Sequence, residues 1–202
     1  MTTREFDVIL YGATGYTGAL VAEHLLKTYG VDGDLSWAIA GRNPAKLAEV
    51  RDRIGAPSSL ALVSADASDP ASLSAMVGRT RAIISTVGPY QLYGSPLVAA
   101  CAAAGADYVD LTGESHWIAQ MMAAHDAQAK ATGARLVFSC GFDSIPFDLG
   151  VFHLQREAMA RLGAPARRVR GRIRGMQGGL SGGTVASGVA TMAAAHQDPT
   201  LR

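Results

Sequence analysis

Six short apolar runs recur along the first 140 residues of the chain and are separated by polar stretches with helical spacing. The apolar runs cover residues 6–11, 35–40, 59–63, 81–87, 107–111 and 135–139. Strand-like runs that alternate with helical stretches are typical of a parallel sheet with helices on both faces. The pattern therefore predicts an α/β fold, a doubly wound parallel sheet.

The predicted helices begin with a repeated signal. Asn43, Asp69 and Ser95 each precede a proline, which pairs an N-cap side chain with proline at the first helical position. A further helix through Trp117 and Met121 bridges the fifth and sixth strands. Six strands with helical crossovers match a complete dinucleotide-binding domain, which we place at residues 1–150.

The pattern changes after this predicted domain. Arg168, Arg170, Arg172 and Arg174 alternate with other residues, which predicts a strand with the arginines on one face. That face is either solvated or a surface for an anionic substrate. A glycine-rich segment and a small-residue helix to about His196 follow. One strand and one helix cannot bury a core, so residues 151–202 are expected to begin a second α/β domain that is truncated here.

Charge, cysteine spacing and the search for targeting segments limit the binding partners and the cellular compartment that we expect. The net charge of +1 gives no electrostatic reason to expect nucleic acid. Cys101 and Cys140 have neither disulfide nor metal-ligand spacing and are expected to be buried, which fits a reduced cytoplasmic setting. We recognise no signal peptide and no transmembrane segment, so membrane association is possible but not indicated.

The first apolar run ends in a glycine motif, Gly12-Ala13-Thr14-Gly15-Tyr16-Thr17-Gly18. Strand, glycine turn and helix N-terminus together form a phosphate-binding device, because the first helical turn offers unpaired N–H groups to an anion. Gly12 allows a sharp turn, Gly15 lets a pyrophosphate approach, and Gly18 lets the helix pack closely. The predicted cofactor-binding residues of this loop are Gly12, Thr14, Gly15, Tyr16, Thr17 and Gly18.

The second strand ends in Ala40-Gly41-Arg42, where an NAD enzyme usually carries an acid for the ribose hydroxyl. A guanidinium can instead grip a 2′-phosphate with two hydrogen bonds, so Arg42 predicts NADP. Lys46 can add a charge one turn later, or it is a solvated helix lysine. Asp66, after the third strand, either accepts from the adenine amine or caps a loop.

Candidate site residues follow the later strands, in the turn after the fourth strand and in two predicted loops, 111–116 and 140–150, at the same sheet edge. Gly88 and Pro89 come after the fourth strand and are predicted to bind the cofactor, since Gly88 permits its close passage. Tyr90 can contact the nicotinamide ribose or the substrate, and the candidate acid–base side chains are Glu114, His116 and Asp143. The predicted catalytic residues are Tyr90, Glu114 and Asp143. Each is alternatively a packing or capping residue. No tyrosine has a lysine four residues later, so the proton donation used by short-chain dehydrogenases is not expected.

Five motifs carry a family resemblance. The chain resembles the saccharopine dehydrogenase-like oxidoreductases in these motifs. They are the glycine loop, Ala40-Gly41-Arg42, Val87-Gly88-Pro89-Tyr90, Asp110-Leu111-Thr112-Gly113-Glu114 and the segment 141–150. Within them, the chain is most similar to the branch with the mycobacterial trans-acting enoyl reductases. The resemblance implies an NADP-binding Rossmann domain, then a mixed α/β domain for substrate and dimer contacts.

The resemblance also implies hydride transfer from NADP(H) to an acyl double bond of a polyketide-derived lipid precursor, small or carrier-bound. Saccharopine-type members instead reduce an imine. Members of the family are about twice this length and are expected to form homodimers. One alternative from a different functional class is a non-catalytic NADP(H) sensor that reports redox state to a partner. A second is a membrane-associated or scaffold protein with a vestigial Rossmann domain.

Overall fold

The computed structural model describes residues 4–175 and 177–198. Six strands form one all-parallel sheet in the order β3-β2-β1-β4-β5-β6. The strands are β1 (Phe6–Tyr11), β2 (Trp37–Gly41), β3 (Ala61–Ser64), β4 (Thr80–Ser85), β5 (Asp107–Asp110) and β6 (Leu136–Val137). The doubly wound parallel sheet predicted from the sequence is confirmed.

Helices connect the strands and continue after the sheet. They are α1 (Tyr16–Tyr29), α2 (Pro44–Arg53), α3 (Pro70–Gly78), α4 (Tyr90–Tyr93), α5 (Ser95–Ala104), α6 (Ser115–Thr132), α7 (Ile145–Leu162) and α8 (Gly182–Gln197). No helix in the described ranges combines the length and hydropathy needed to cross a bilayer.

Two apolar cores hold the helices against the two sheet faces. Leu25 of α1 and Leu47 of α2 pack with Leu10 of β1 in one core. Met76 of α3 and Trp117 of α6 belong to the other, which the same strand enters through Ile9 and Tyr11. Because successive strand residues point to opposite faces, one central strand supplies both cores.

Two of the three predicted N-caps are confirmed. Asn43 accepts from the Lys46 N–H, and Asp69 accepts from the Ala71 N–H. The third is wrong, because Gly94 precedes the helix and Ser95 is its first residue. Ser95 Oγ instead accepts a hydrogen bond of 2.9 Å from the Trp117 indole N–H. A tertiary partner therefore takes the hydroxyl that a local cap would have used.

The structure corrects the prediction of an arginine-rich strand. Residues 167–174 are irregular, and no described strand lies beside them to complete a hydrogen-bonded ladder. Period-two spacing of side chains supplies no backbone partner, so the pattern alone does not make a strand. The predicted small-residue helix is confirmed as α8, which Ser181 caps through the Thr184 N–H.

Helix α7 replaces part of a predicted loop. The sequence suggests a loop over 140–150, whereas the helix begins at Ile145 and passes residue 150 without a break. Much of its apolar surface is exposed, including Phe152, Leu154 and Leu162. Cys101 is buried as expected, but Cys140 is only half-buried because it lies in the turn between the sheet edge and α7.

Candidate functional site

The glycine loop lies at the centre of the carboxyl edge of the sheet. Gly12 has a φ of +96°, and its N–H donates to Ala40 O at 2.9 Å. Gly15 N–H donates back to Gly12 O at 3.0 Å, and α1 then starts with Gly15 as an N-cap that offers no side chain. The first N–H groups of α1 therefore remain available to an anion at the positive end of the helix dipole.

Close packing explains two of the three glycines. A Cβ on Gly18 would lie 2.2 Å from Gly12 O, and one on Gly12 would lie 2.7 Å from Thr86 Oγ1. A Cβ on Gly15 would meet only Gly12 O, at 3.4 Å, which is ordinary contact. The fold itself requires Gly12 and Gly18, whereas the free space at Gly15 is what a pyrophosphate would use.

An open groove of about 440 Å³ runs beside this loop. It is lined by Thr14, Gly15, Tyr16, Ala19, Leu20, Glu23, Arg53 and Ile54. The Tyr16 side chain is exposed at its mouth. Arg53 brings to the groove a positive charge that sequence reasoning missed, because this residue lies 38 positions away from Gly15 along the chain.

The predicted residues that read the adenosine lie at the tips of adjacent strands. Arg42 follows β2, is exposed, and makes no ion pair or hydrogen bond within the described residues. Asp66 follows β3, where its Oδ1 accepts from the Ser68 N–H and hydroxyl at 2.9 and 2.8 Å. Lys46 is exposed on α2. Arg42 and Asp66 thus remain accessible at one edge, while Lys46 offers a second charge.

The charges of Arg42 and Asp66 both affect the pKa of Tyr11 at the end of β1. Burial, with help from the Asp66 carboxylate, raises the pKa of Tyr11 to about 12, and the Arg42 guanidinium opposes this. The hydrogen bonds from Ser68 lower the pKa of Asp66, and the Arg42 charge lowers it further. Both charged side chains therefore act on the end of β1, beside the glycine loop.

The predicted residues after β4 lie in a short turn at the same edge. Gly88 and Pro89 are joined by a cis peptide bond, and Pro89 is buried. The Tyr90 hydroxyl donates to Ser85 O at 3.1 Å and accepts from the Leu111 N–H at 3.4 Å. Burial raises the pKa of Tyr90 well above its usual value. Its hydroxyl therefore joins the turn to the loop after β5.

Glu114 holds the start of α4. Its Oε1 accepts from the Tyr90 N–H at 3.0 Å, and its Oε2 accepts from the Gln91 N–H at 2.7 Å. The side chain is buried, with 3% of its surface exposed. The structure thus brings Tyr90 and Glu114 together through backbone contacts, and the catalytic roles predicted for them remain predictions.

We expect Glu114→Gln to destabilise the protein by about 2 kcal/mol, because one buried N–H would face an amide NH₂ instead of an acceptor. The melting temperature should fall by roughly 4–8 °C in a calorimetric scan. Glu49→Gln, an exposed position on α2, is the matched control. An unchanged melting temperature for Glu114→Gln would refute the bracing role of this carboxylate.

Asp110 is a site residue that sequence reasoning missed. Its Oδ1 accepts from the Thr112 and Ser139 N–H groups at 3.1 and 2.9 Å, and its Oδ2 accepts from the Tyr108 hydroxyl at 2.8 Å. Ser139 has a φ of 59°. This buried carboxylate therefore joins the loops after β5 and β6. The sequence did contain a signal for this residue, namely an acidic side chain at the carboxyl end of a predicted buried strand.

Stability should depend on pH through Asp110. Burial raises the pKa of Asp110 above its usual value, and its hydrogen bonds oppose the effect. A carboxyl with a raised pKa holds its proton more tightly when folded, so its stabilisation is complete below the ordinary aspartate pKa. That stabilisation is lost as the pH rises through the folded-state pKa.

We therefore expect the wild type to lose stability relative to Asp110→Asn as the pH rises above the ordinary aspartate pKa of about 4. Urea unfolding at several pH values measures this difference. Asp126→Asn, at an exposed position on α6, should leave the pH profile parallel to that of the wild type. A difference between wild type and Asp110→Asn that does not change with pH would contradict the assignment.

The other two acid–base candidates lie in different surroundings. Asp143 is exposed in the turn before α7, and its carboxylate has no hydrogen-bond partner among the described residues. His116 is half-buried at the start of α6, with Nε2 3.3 Å from Gln91 Oε1. The loops that carry Asp143 and Glu114 adjoin, because a Cβ on Gly141 would lie 3.0 Å from Leu111 Cβ. Catalysis by Asp143 remains a prediction.

No group of three histidine, cysteine or carboxylate side chains within residues 4–175 and 177–198 is placed to hold a metal ion. The site consists instead of an uncapped helix N-terminus, a turn with glycine at positions 12 and 15, and an exposed arginine at the next strand tip. These features define a dinucleotide-binding domain that can accommodate a phosphorylated ribose.

Comparison with known proteins identifies the family. The model of the saccharopine dehydrogenase NADP binding domain matches residues 8–137. The chain belongs to this family, and the prediction of NADP as the cofactor is confirmed. The matched range contains the glycine loop, Arg42 and Asp66.

Curated relatives carry a more specific name. A trans-acting enoyl reductase of Mycobacterium ulcerans is 52% identical over 156 residues, which cover 77% of this chain and 37% of the relative. A Mycobacterium tuberculosis protein, provisionally named a trans-acting enoyl reductase, is 44% identical over 202 residues, which cover 100% of this chain and 48% of the relative. The chain thus spans half or less of the length of these relatives.

Solved structures support the fold alone. The apo saccharopine dehydrogenase (L-Glu forming) of Saccharomyces cerevisiae aligns with a TM-score of 0.57 at 18% identity, over 78% of this chain and 32% of that chain. Pen from Bacillus thuringiensis aligns with a TM-score of 0.54 at 8% identity, over 68% of this chain and 50% of that chain. Both similarities agree with the doubly wound sheet.

Proposed function

We propose that this chain is the cofactor-binding part of an NADP-dependent enoyl reductase that transfers hydride to an unsaturated acyl chain of a lipid precursor. The observation that carries this proposal is the 44–52% identity to relatives named as trans-acting enoyl reductases. The glycine loop, Arg42 and Asp66 would hold the cofactor, which supplies the hydride.

The name of the relatives also bears on the substrate. A reductase that acts in trans reduces an acyl group that another protein holds, so we propose a carrier-bound thioester. An enoyl thioester carries a polarised double bond, and this makes its β-carbon a hydride acceptor. This chain would hold the cofactor at the carboxyl edge of the sheet so that its hydride is aligned with the acceptor carbon. Such alignment of the reacting atoms supplies much of the rate in hydride transfer.

We further propose that residues 151–202 belong to a substrate and dimerisation domain completed by the remaining length seen in the relatives. Exposed apolar residues on α7, such as Phe152 and Leu154, support this because an isolated helix gains nothing from presenting them to water. The free thiols Cys101 and Cys140 support a cytoplasmic location.

A second candidate function is a non-catalytic NADP(H) sensor. It is favoured by one observation, that Tyr90 and Glu114 direct their polar atoms to backbone groups of the protein itself. Such a protein would bind the cofactor tightly and signal its redox state through a partner.

Absorbance at 340 nm distinguishes these functions. The full-length protein, which includes the rest of the substrate domain proposed above, is mixed with NADPH and either crotonyl-N-acetylcysteamine, an enoyl thioester, or a cyclic imine. The proposal expects NADPH oxidation with the thioester alone, and the Gly15→Val variant is the control for background oxidation. If NADPH binds but is not oxidised in either mixture, the result would favour the sensor. NADPH oxidation with the imine would favour saccharopine-type chemistry.

A further inference from the structure

A chain of polar side chains connects three helices beside the turn after β4. His116 Nε2 lies 3.3 Å from Gln91 Oε1, and Gln91 Nε2 donates to Thr191 Oγ1 at 3.3 Å. These residues come from α6, α4 and α8, and Thr191 is 100 positions from Gln91 along the chain. The contacts place α8 against the carboxyl edge of the sheet.

The neighbouring turn of α8 faces the same edge. Ser187 is one helical turn before Thr191, so both lie on one side of α8. Ser187 Oγ would be 3.7 Å from a Cβ on Gly88. Because ligands of doubly wound sheets bind beside the switch point at the carboxyl ends of the strands, this face of α8 borders the reactive end of the cofactor cleft.

The hydrogen bonds have a direction. An amide oxygen only accepts, so the His116 ring presents its Nε2–H to Gln91. Gln91 then uses an N–H to reach Thr191, whose oxygen is the acceptor. The hydrogen of the Thr191 hydroxyl has no acceptor among the described residues, and Thr191 is exposed. The chain of donors therefore ends in an O–H that is free to donate to a ligand.

We propose that Thr191, oriented by Gln91 and His116, binds the carbonyl oxygen of an acyl thioester. This inference rests on the proposed enoyl reductase function. Hydride addition to the β-carbon moves the C=C electron pair toward that oxygen, and NADPH is oxidised to NADP⁺. The enolate then takes a proton from water at the α-carbon and becomes the saturated thioester. A donor at the oxygen stabilises the charge as it develops.

Thioester binding to the full chain tests the site without turnover. Calorimetry with crotonyl-N-acetylcysteamine in the presence of NADP⁺ should give a Kd that rises about tenfold in Thr191→Val and in Gln91→Leu. The double variant should lose about as much as either single variant, because both break one chain. NADP⁺ affinity should stay within about twofold in all three.

Two matched variants serve as controls. Thr28→Val changes an exposed helical threonine on α1, and His125→Gln changes a second histidine on α6. Both should bind the thioester like the wild type. In a histidine NMR spectrum, the ring signal of His116 should move when the thioester is added, while that of His125 should not.

Different results would contradict the carbonyl-binding site and the enoyl reductase function. Wild-type affinity in both Thr191→Val and Gln91→Leu would overturn the carbonyl site and leave the enoyl reductase function standing. A wild-type chain that binds NADP⁺ but has no affinity for the thioester would overturn both. A His116 signal that stays still while the thioester binds would also overturn the site.

Discussion

Arg42→Asp should weaken NADPH binding about 100-fold and change NADH binding no more than about threefold. Loss of paired charge-assisted hydrogen bonds to a phosphate corresponds to about 2.7 kcal/mol at this ratio, and the new carboxylate repels the same group. Arg42 is exposed and without a partner among the described residues, so the change costs little stability. Nicotinamide fluorescence titration with both cofactors measures the ratio.

Arg170→Asp is the control for the change in total charge. Arg170 is also exposed, but it lies in the irregular segment far along the chain from the glycine loop. It should leave both affinities near the wild-type values. If Arg42→Asp weakened NADPH and NADH equally, the guanidinium would have no role in selecting the 2′-phosphate.

Gly15→Val should abolish binding of NADPH and NADH alike, with a loss of more than about 100-fold. The isopropyl group would occupy the space through which a pyrophosphate reaches the first turn of α1. Gly15 has a φ of −78° and a ψ of 165°, which valine adopts readily, and its Cβ would meet only Gly12 O at 3.4 Å. The melting temperature should therefore change by no more than about 2 °C.

Gly18→Ala is the contrasting variant. Its Cβ would lie 2.2 Å from Gly12 O, a backbone atom that cannot swing aside. We expect it to lower the melting temperature clearly, through displacement of α1 from the loop. Gly15→Val with unchanged cofactor affinity would contradict the role of this loop, whatever Gly18→Ala does.

The fold and the cofactor loop were predictable because their signals are local. A strand, a glycine turn and a helix follow one another within residues 6–29, and the caps Asn43 and Asp69 act on their own helices. The N-cap prediction for Ser95 was wrong because the proline that follows it is a local signal, whereas the partner of the Ser95 hydroxyl, Trp117, is distant along the chain. The arginine alternation misled because a strand needs a neighbouring strand, which spacing within one segment cannot supply.

The acid–base loops were predictable only in position. Glu114 and Asp143 follow the strands that the sequence indicates, which correctly places both at the carboxyl edge. The sequence could not show that Glu114 accepts from two backbone N–H groups 23 and 24 residues away. The link between Gln91 and Thr191 was equally hidden, since it depends on how α8 returns to the sheet after an irregular segment.

A crystal structure of the chain with NADP⁺ tests the central claim most directly. We predict that the pyrophosphate accepts hydrogen bonds from the first N–H groups of α1 and that the 2′-phosphate contacts the Arg42 guanidinium. A cofactor bound elsewhere, or bound at the glycine loop with its 2′-phosphate turned away from Arg42, would contradict this account.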